Sequence, residues 1–133
     1  MAKSFKLQMN PTFKATVKVP RVGGDPLTVG FTFRALDRRG LAKVFDKWKQ
    51  ENIALIDEAK EAAEHGNEFT LEQWADREID LQVKQVKDIT VGWGFDDEFN
   101  DENIEALVST SVSVTDAILE QYNEAYTRAR TGN

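Results

Sequence analysis

The sequence predicts a mainly α protein of the α+β class, with an N-terminal β-hairpin followed by about four helices in a single domain over residues 1–133. Three observations lead there. Residues 12–19 and 27–34 alternate apolar and polar side chains with a period of two. From Leu41 onward apolar residues recur at helical spacing instead. Cap and terminator residues then divide that helical body, residues 37–130, into segments.

Residues 1–11 read as a tail that is free to be flexible. Phe13, Ala15, Val17 and Val19 next share one face, with Thr12, Lys14, Thr16 and Lys18 on the other. Pro20 and the run Val22-Gly23-Gly24-Asp25-Pro26 predict a loop longer than a two-residue turn and open to motion. Leu27, Val29, Phe31 and Phe33 resume the alternation, so residues 12–34 form a hairpin with one apolar face. A two-stranded hairpin is marginal alone. Its apolar face must lie on its own helices or on another chain, and its edges can also pair with a partner strand.

Asp37 is placed to cap the first helix, whose stripe is Leu41, Val44, Phe45, Trp48, Leu55, Ile56, Ala59 and Ala63. Asn52 interrupts that stripe and predicts a kink or break between Gln50 and Asn52. His65-Gly66-Asn67 ends the helix, because glycine takes the left-handed position after a helix without steric cost. Thr70 and Gln73 form a capping box for a second helix with Trp74, Ala75, Ile79, Val83 and Val86 inward. That pattern stops near Gly92. Asn100 caps a short third helix carrying Ile104, Leu107 and Val108, with Asp101 and Glu102 in the first turn, where the helix dipole favours carboxylates. The hydroxyl-rich, β-branched run Ser109 to Thr115 predicts a break. A fourth helix then runs from about Asp116 to Arg128 with Ile118, Leu119, Tyr122, Ala125 and Tyr126 on its apolar side, Arg128 and Arg130 at its end, and a frayed Thr131-Gly132-Asn133.

Composition bounds the function. The chain has no cysteine, which removes disulfides, thiol nucleophiles and thiolate metal sites together. It has one histidine, His65, at a helix end, where capping or solvation accounts for it and no second histidine completes a catalytic triad. Asp96 to Glu105 fails as an EF-hand loop: the sixth position is Asp101 where glycine is needed, and the twelfth is Leu107 where a bidentate glutamate is needed. No catalytic, cofactor or metal site is therefore expected. The N-terminus has no signal-peptide pattern, and no apolar run approaches the roughly 20 residues that cross a bilayer. The net charge of -6 is split: residues 1–49 hold 11 Lys/Arg and 3 Asp/Glu, residues 50–133 hold 6 and 20. The acidic total disfavours sequence-neutral nucleic-acid binding, whereas the asymmetry suits either intramolecular complementarity or a basic element of one copy meeting an acidic surface of another. Trp93 and Phe95, set among glycines, close a helical core or contact a partner.

The order of these segments resembles the tail assembly chaperone family of long-tailed, siphovirus-type bacteriophages and prophages. The residues that carry the likeness are the alternating segment Thr12 to Phe33, the helices from Leu41 to Val86, Gly92-Trp93, the acidic-aromatic stretch Asp96 to Phe99, the short helix Asn100 to Val108, Tyr122 in the last helix, and Gly132-Asn133. They cover most of the chain. The resemblance implies a non-catalytic protein that binds the hydrophobic tape measure protein in the host cytoplasm, keeps it soluble before the tail tube assembles, and is absent from the mature virion. It implies a short form of a frameshifted pair, whose longer form recruits the tail tube protein. Self-association into a homo-oligomer is expected through Val17, Val19, Val29 and Phe31, and client contact through Trp93, Phe95 and Phe99. The alternative is a small structural virion protein such as a head–tail connector, equally acidic and free of catalytic residues.

Overall fold

The structure, a computed structural model, describes residues 11–131. The tail expected at residues 1–11 lies, except for Pro11, outside the described residues, as do Gly132-Asn133 and the side chain of Arg130. In order the elements are β1 (Thr12–Arg21), β2 (Gly24–Arg34), α1 (Arg38–Glu64), α2 (Leu71–Ile89), β3 (Thr90–Trp93), α3 (Asp101–Val108) and α4 (Val112–Thr131). The class is α+β, with an N-terminal hairpin and four helices as expected.

The hairpin is longer and tighter than the sequence predicts. β1 and β2 pair antiparallel from Thr12↔Arg34 to Arg21↔Gly24, so Val22 and Gly23 alone make the turn. Gly23 supplies the positive φ, at 75°, that lets two residues reverse the chain. The two prolines that suggested a loop fall in the irregularity between Val19↔Leu27 and Arg21↔Gly24. There Pro20 faces Asp25 and Pro26 outside the regular ladder, so neither missing N–H breaks a ladder bond.

β3 is a third strand that was not expected. It adds to β2 through Phe31↔Trp93, Thr32↔Gly92 and Phe33↔Thr90, and the Gly94 amide continues the contact to the Gly30 carbonyl oxygen at 2.7 Å. The sheet order is β1-β2-β3. α4 lies along β1, α2 reaches β2 and β3, and α3 packs on α2 and α4. The core between sheet and helices includes Phe31, Phe33, Val86, Ile89, Ile104, Ile118 and Tyr122, all buried.

The caps work as expected. Asp37 accepts from the Gly40 amide, Thr70 and Gln73 form the reciprocal capping box, and Asn100 accepts from Asn103. At the end of α1 the Gly66 amide bonds to the Ala63 carbonyl and the Asn67 amide to the Ala62 carbonyl, with Gly66 at φ 77°. This is a Schellman motif. Three other expectations are corrected. α1 continues unbroken through Asn52, because that side chain simply faces solvent. Phe45, Ile56 and Ala63 of its expected stripe are exposed, and Ala75 of α2 likewise, since α2 is the main element against which α1 packs and one neighbour covers one narrow stripe. α4 starts at Val112 rather than near Asp116: the Ser111 hydroxyl accepts from the Ser113 amide, and burial of Val114 and Thr115 overrides their weak helix propensity.

Candidate interaction surfaces

The aromatic segment after α2 is built by β3. Pairing with β2 puts Trp93 opposite Phe31, and Gly94 just beyond it lies against the Gly30 backbone, where a Cβ would come within 3.4 Å of the Gly30 carbonyl oxygen. Trp93 then stands edge-on to Phe95 and Phe99, with ring centroids 5.1 Å and 5.0 Å away, while Phe31 meets Trp93 and Phe95 from the core side. The Trp93 Nε1 donates to the Asp97 carbonyl oxygen at 2.8 Å, which ties the acidic run Asp96-Asp97-Glu98 to the edge of the ring. Such edge-to-face pairs each add about 0.5–1.5 kcal/mol beyond area burial. Trp93, Phe95 and Phe99 are half-buried, packed against the core on one side and open on the other. The structure thus brings the three residues named for client contact into one cluster.

Val17, Val19, Val29 and Phe31, named for self-association, also come together, but in the interior. They are at most 8% exposed and belong to the core formed with α2, α3 and α4. The cover that the hairpin needs comes from this chain's own helices, so these side chains have no free surface to offer a second copy. The opposite sheet face carries Lys14, Thr16, Lys18, Thr28 and Arg34, all exposed, and is basic.

A groove of about 500 Å³ lies among α1, α2 and α3, with Ala54, Leu55, Leu81 and Val83 in its floor and Glu51, Arg77, Lys84, Lys87, Asp101 and Glu105 around it. Glu51 Oε1 is buried there without a hydrogen-bond partner, and Lys84 approaches the other carboxylate oxygen only to 3.9 Å. Below it the α1–α2 pair is tied by Asp88, which accepts from Trp48 Nε1 at 2.8 Å and from Lys47 at 3.1 Å. Arg77 and Glu58 bond the same two helices further out.

On the other side of the core two tyrosines of α4 hold the β2–α1 connection. Tyr122 donates to the Arg34 carbonyl oxygen at 2.9 Å, its hydroxyl lies 3.1 Å from that of Tyr126, and Tyr126 bonds to Leu36. Burial, then the bond to Tyr126, raises the Tyr122 pKa. The phenol therefore stays neutral and serves as a structural donor.

Among the described residues no group of three His, Cys, Asp or Glu is arranged to hold a metal ion, and no helix is long and apolar enough to cross a membrane. His65 is exposed and caps α1, its amide reaching back to the Glu61 and Ala62 carbonyls. A surface that sequence reasoning missed is the outer side of α1, where Phe45, Ile53 and Ile56 are 41%, 42% and 48% exposed. The spacing of Phe45 and Ile56 carried the signal, but a period alone does not say which edge of a wide stripe a single neighbour covers.

A family model described as phage tail assembly chaperone matches residues 1–133. No curated protein and no solved structure matches the chain.

Proposed function

The chain belongs to the phage tail assembly chaperone family, and from that premise we propose that it binds the tape measure protein and keeps it soluble while the tail is assembled. The observation that carries this reading is the half-open aromatic cluster of Trp93, Phe95 and Phe99, rimmed by Asp96, Asp97 and Glu98. Fully exposing rings of this size forfeits about 1.5–3 kcal/mol each. Rings buried on one side retain most of that gain and keep an edge for a client's apolar side chains. Contacts of this kind are weak singly and reversible. Several copies along one long client supply the avidity, and the acidic rim keeps loaded complexes apart.

In this reading the chain is the short form of a frameshifted pair. Its longer form recruits the tail tube protein, and the complex acts in the host cytoplasm and leaves before the virion is complete. Mass spectrometry of purified particles tests the last point: the chain should be missing.

The direct test is co-expression with the tape measure protein. Wild type should raise the soluble fraction of the client, and Phe95→Gln with Phe99→Gln should reduce it while the melting transition of the chaperone remains cooperative. Undiminished client solubility with that variant removes the cluster from the reading.

A further inference from the structure

We infer that the outer face of α1 is a self-association surface, on which α1 of a second copy packs antiparallel about a two-fold axis. The first observation is charge order along the helix. Residues 38–49 carry Arg38, Arg39, Lys43, Lys47 and Lys49 against Asp46, and residues 50–64 carry Glu51, Asp57, Glu58, Glu61 and Glu64 against Lys60. This runs opposite to what a helix dipole favours, which is carboxylates at the N-terminus and cations at the C-terminus. α1 has no acidic residue in its first turn and no basic residue in its last. α2 follows the rule with Glu72 and Lys87, and α3 with Asp101 and Glu102. Beyond the Asp37 cap, the order in α1 therefore works against the isolated helix.

Neighbours within the chain account for little of it. Lys47 pairs with Asp88, Glu51 loosely with Lys84, and Glu58 with Arg77. Arg38, Arg39, Lys43 and Lys49 at one end, and Asp57, Glu61 and Glu64 at the other, form no ion pair among the described residues. A helix that is positive in one half and negative in the other is complementary to itself when reversed, and the dipoles of the two helices then also oppose.

The second observation is the apolar seam. Phe45 and Ile56 are exposed and stand on one side of α1, with Lys49 and Asn52 between them at heptad-like spacing. Phe45 and Ile56 are symmetric about the midpoint between Gln50 and Glu51, which is also where the charge changes sign. Antiparallel pairing centred there sets Phe45 of one copy on Ile56 of its partner and Lys49 beside Asn52. It brings Arg38 and Arg39 to the end that carries Glu61 and Glu64. Apolar register and charge register coincide, and this selects a second copy over an unrelated partner. A helix of 27 residues is about 40 Å long, so one such pair gives an interface at the small end of the specific range. Its polar seam positions set register more than strength.

The surface rests on α1 and not on the choice of client. Failure of the client assay with an intact dimer would remove only the tape measure reading, and the reverse result would remove only this one. Sedimentation equilibrium of the full chain over a wide concentration range decides it. Wild type should show a monomer–dimer equilibrium that weakens at least about tenfold when salt is raised from about 50 mM to about 500 mM. Arg39→Glu with Lys49→Glu should be monomeric, Asp57→Lys with Glu64→Lys likewise, and their equimolar mixture should regain a heterodimer. Phe45→Gln, at an exposed position, should weaken the wild-type dimer as well. A wild type that stays monomeric overturns the inference. So do charge-reversed pairs that associate like wild type, a mixture that regains nothing, or a Phe45→Gln dimer as strong as the parent.

Discussion

The Tyr126 hydroxyl bonds both backbone groups of Leu36, accepting from its N–H at 2.9 Å and lying 3.1 Å from its carbonyl oxygen, across ninety residues of sequence. One side chain of the last helix thereby satisfies the turn that leads from the sheet into α1. Tyr126→Phe should cost about 1–3 kcal/mol in urea unfolding, because it leaves the part-buried Leu36 amide without its acceptor. A loss within experimental error would mean that water replaces the hydroxyl.

The neighbouring Tyr122 gives a pH dependence. Burial raises its pKa above the ordinary value of about 10. The unfolded chain therefore releases the phenol proton at a lower pH than the folded one does. The stability this group contributes is fully present below about pH 10 and falls as pH rises above it. Urea midpoints taken from pH 8 to 11.5 should drop more steeply above pH 10 in wild type than in Tyr122→Phe.

Asp88 joins α1 to α2 through Trp48 and Lys47. Asp88→Ala should cost about 1–3 kcal/mol, since the part-buried indole N–H loses its acceptor. Lys47→Ala should cost less than about 1 kcal/mol, because its half-exposed pairing is screened. Equal losses for the two would place the energy in the ion pair instead.

Phe31 distinguishes a hairpin that holds the core from one that only joins copies. It is 1% exposed and touches Phe33, Trp93 and Phe95. Phe31→Ala should destabilise the chain by about 3–5 kcal/mol. The melt of a dilute monomeric sample measures this, and an unchanged melt would contradict the packing.

Gly66 ends α1 at φ 77° with open space around its Cα. Gly66→Ala therefore meets no clash, only the left-handed backbone cost of about 1–2 kcal/mol for a residue with a Cβ. Thermal melting checks it, and a rise in stability would show that the Schellman turn has another conformation open to it.

Several features were legible because their cause is local. The alternation through Phe13 to Val19 and Leu27 to Phe33 specifies strands with one apolar face, and Asp37, Thr70, Gln73, Asn100 and Gly66 mark helix ends within a few residues of themselves. The gathering of Trp93, Phe95 and Phe99 was half legible: aromatics among glycines announce a cluster, but not which edge stays open. β3 was hidden, because four residues are too few to show a period and Thr90–Trp93 become a strand only when the edge of β2 is beside them.

The amino-acid order alone thus determined the class, the caps, the absence of cysteine chemistry and the family to which the chain belongs. Tertiary structure decided which apolar faces are spent. Val17, Val19, Val29 and Phe31 vanish under α2, α3 and α4, while Phe45 and Ile56, of the same character, stay in solvent. Hydrophobic attraction has no direction. A greasy residue therefore advertises that it will be covered, and only the placement of the neighbouring elements says whether its own chain or another does the covering.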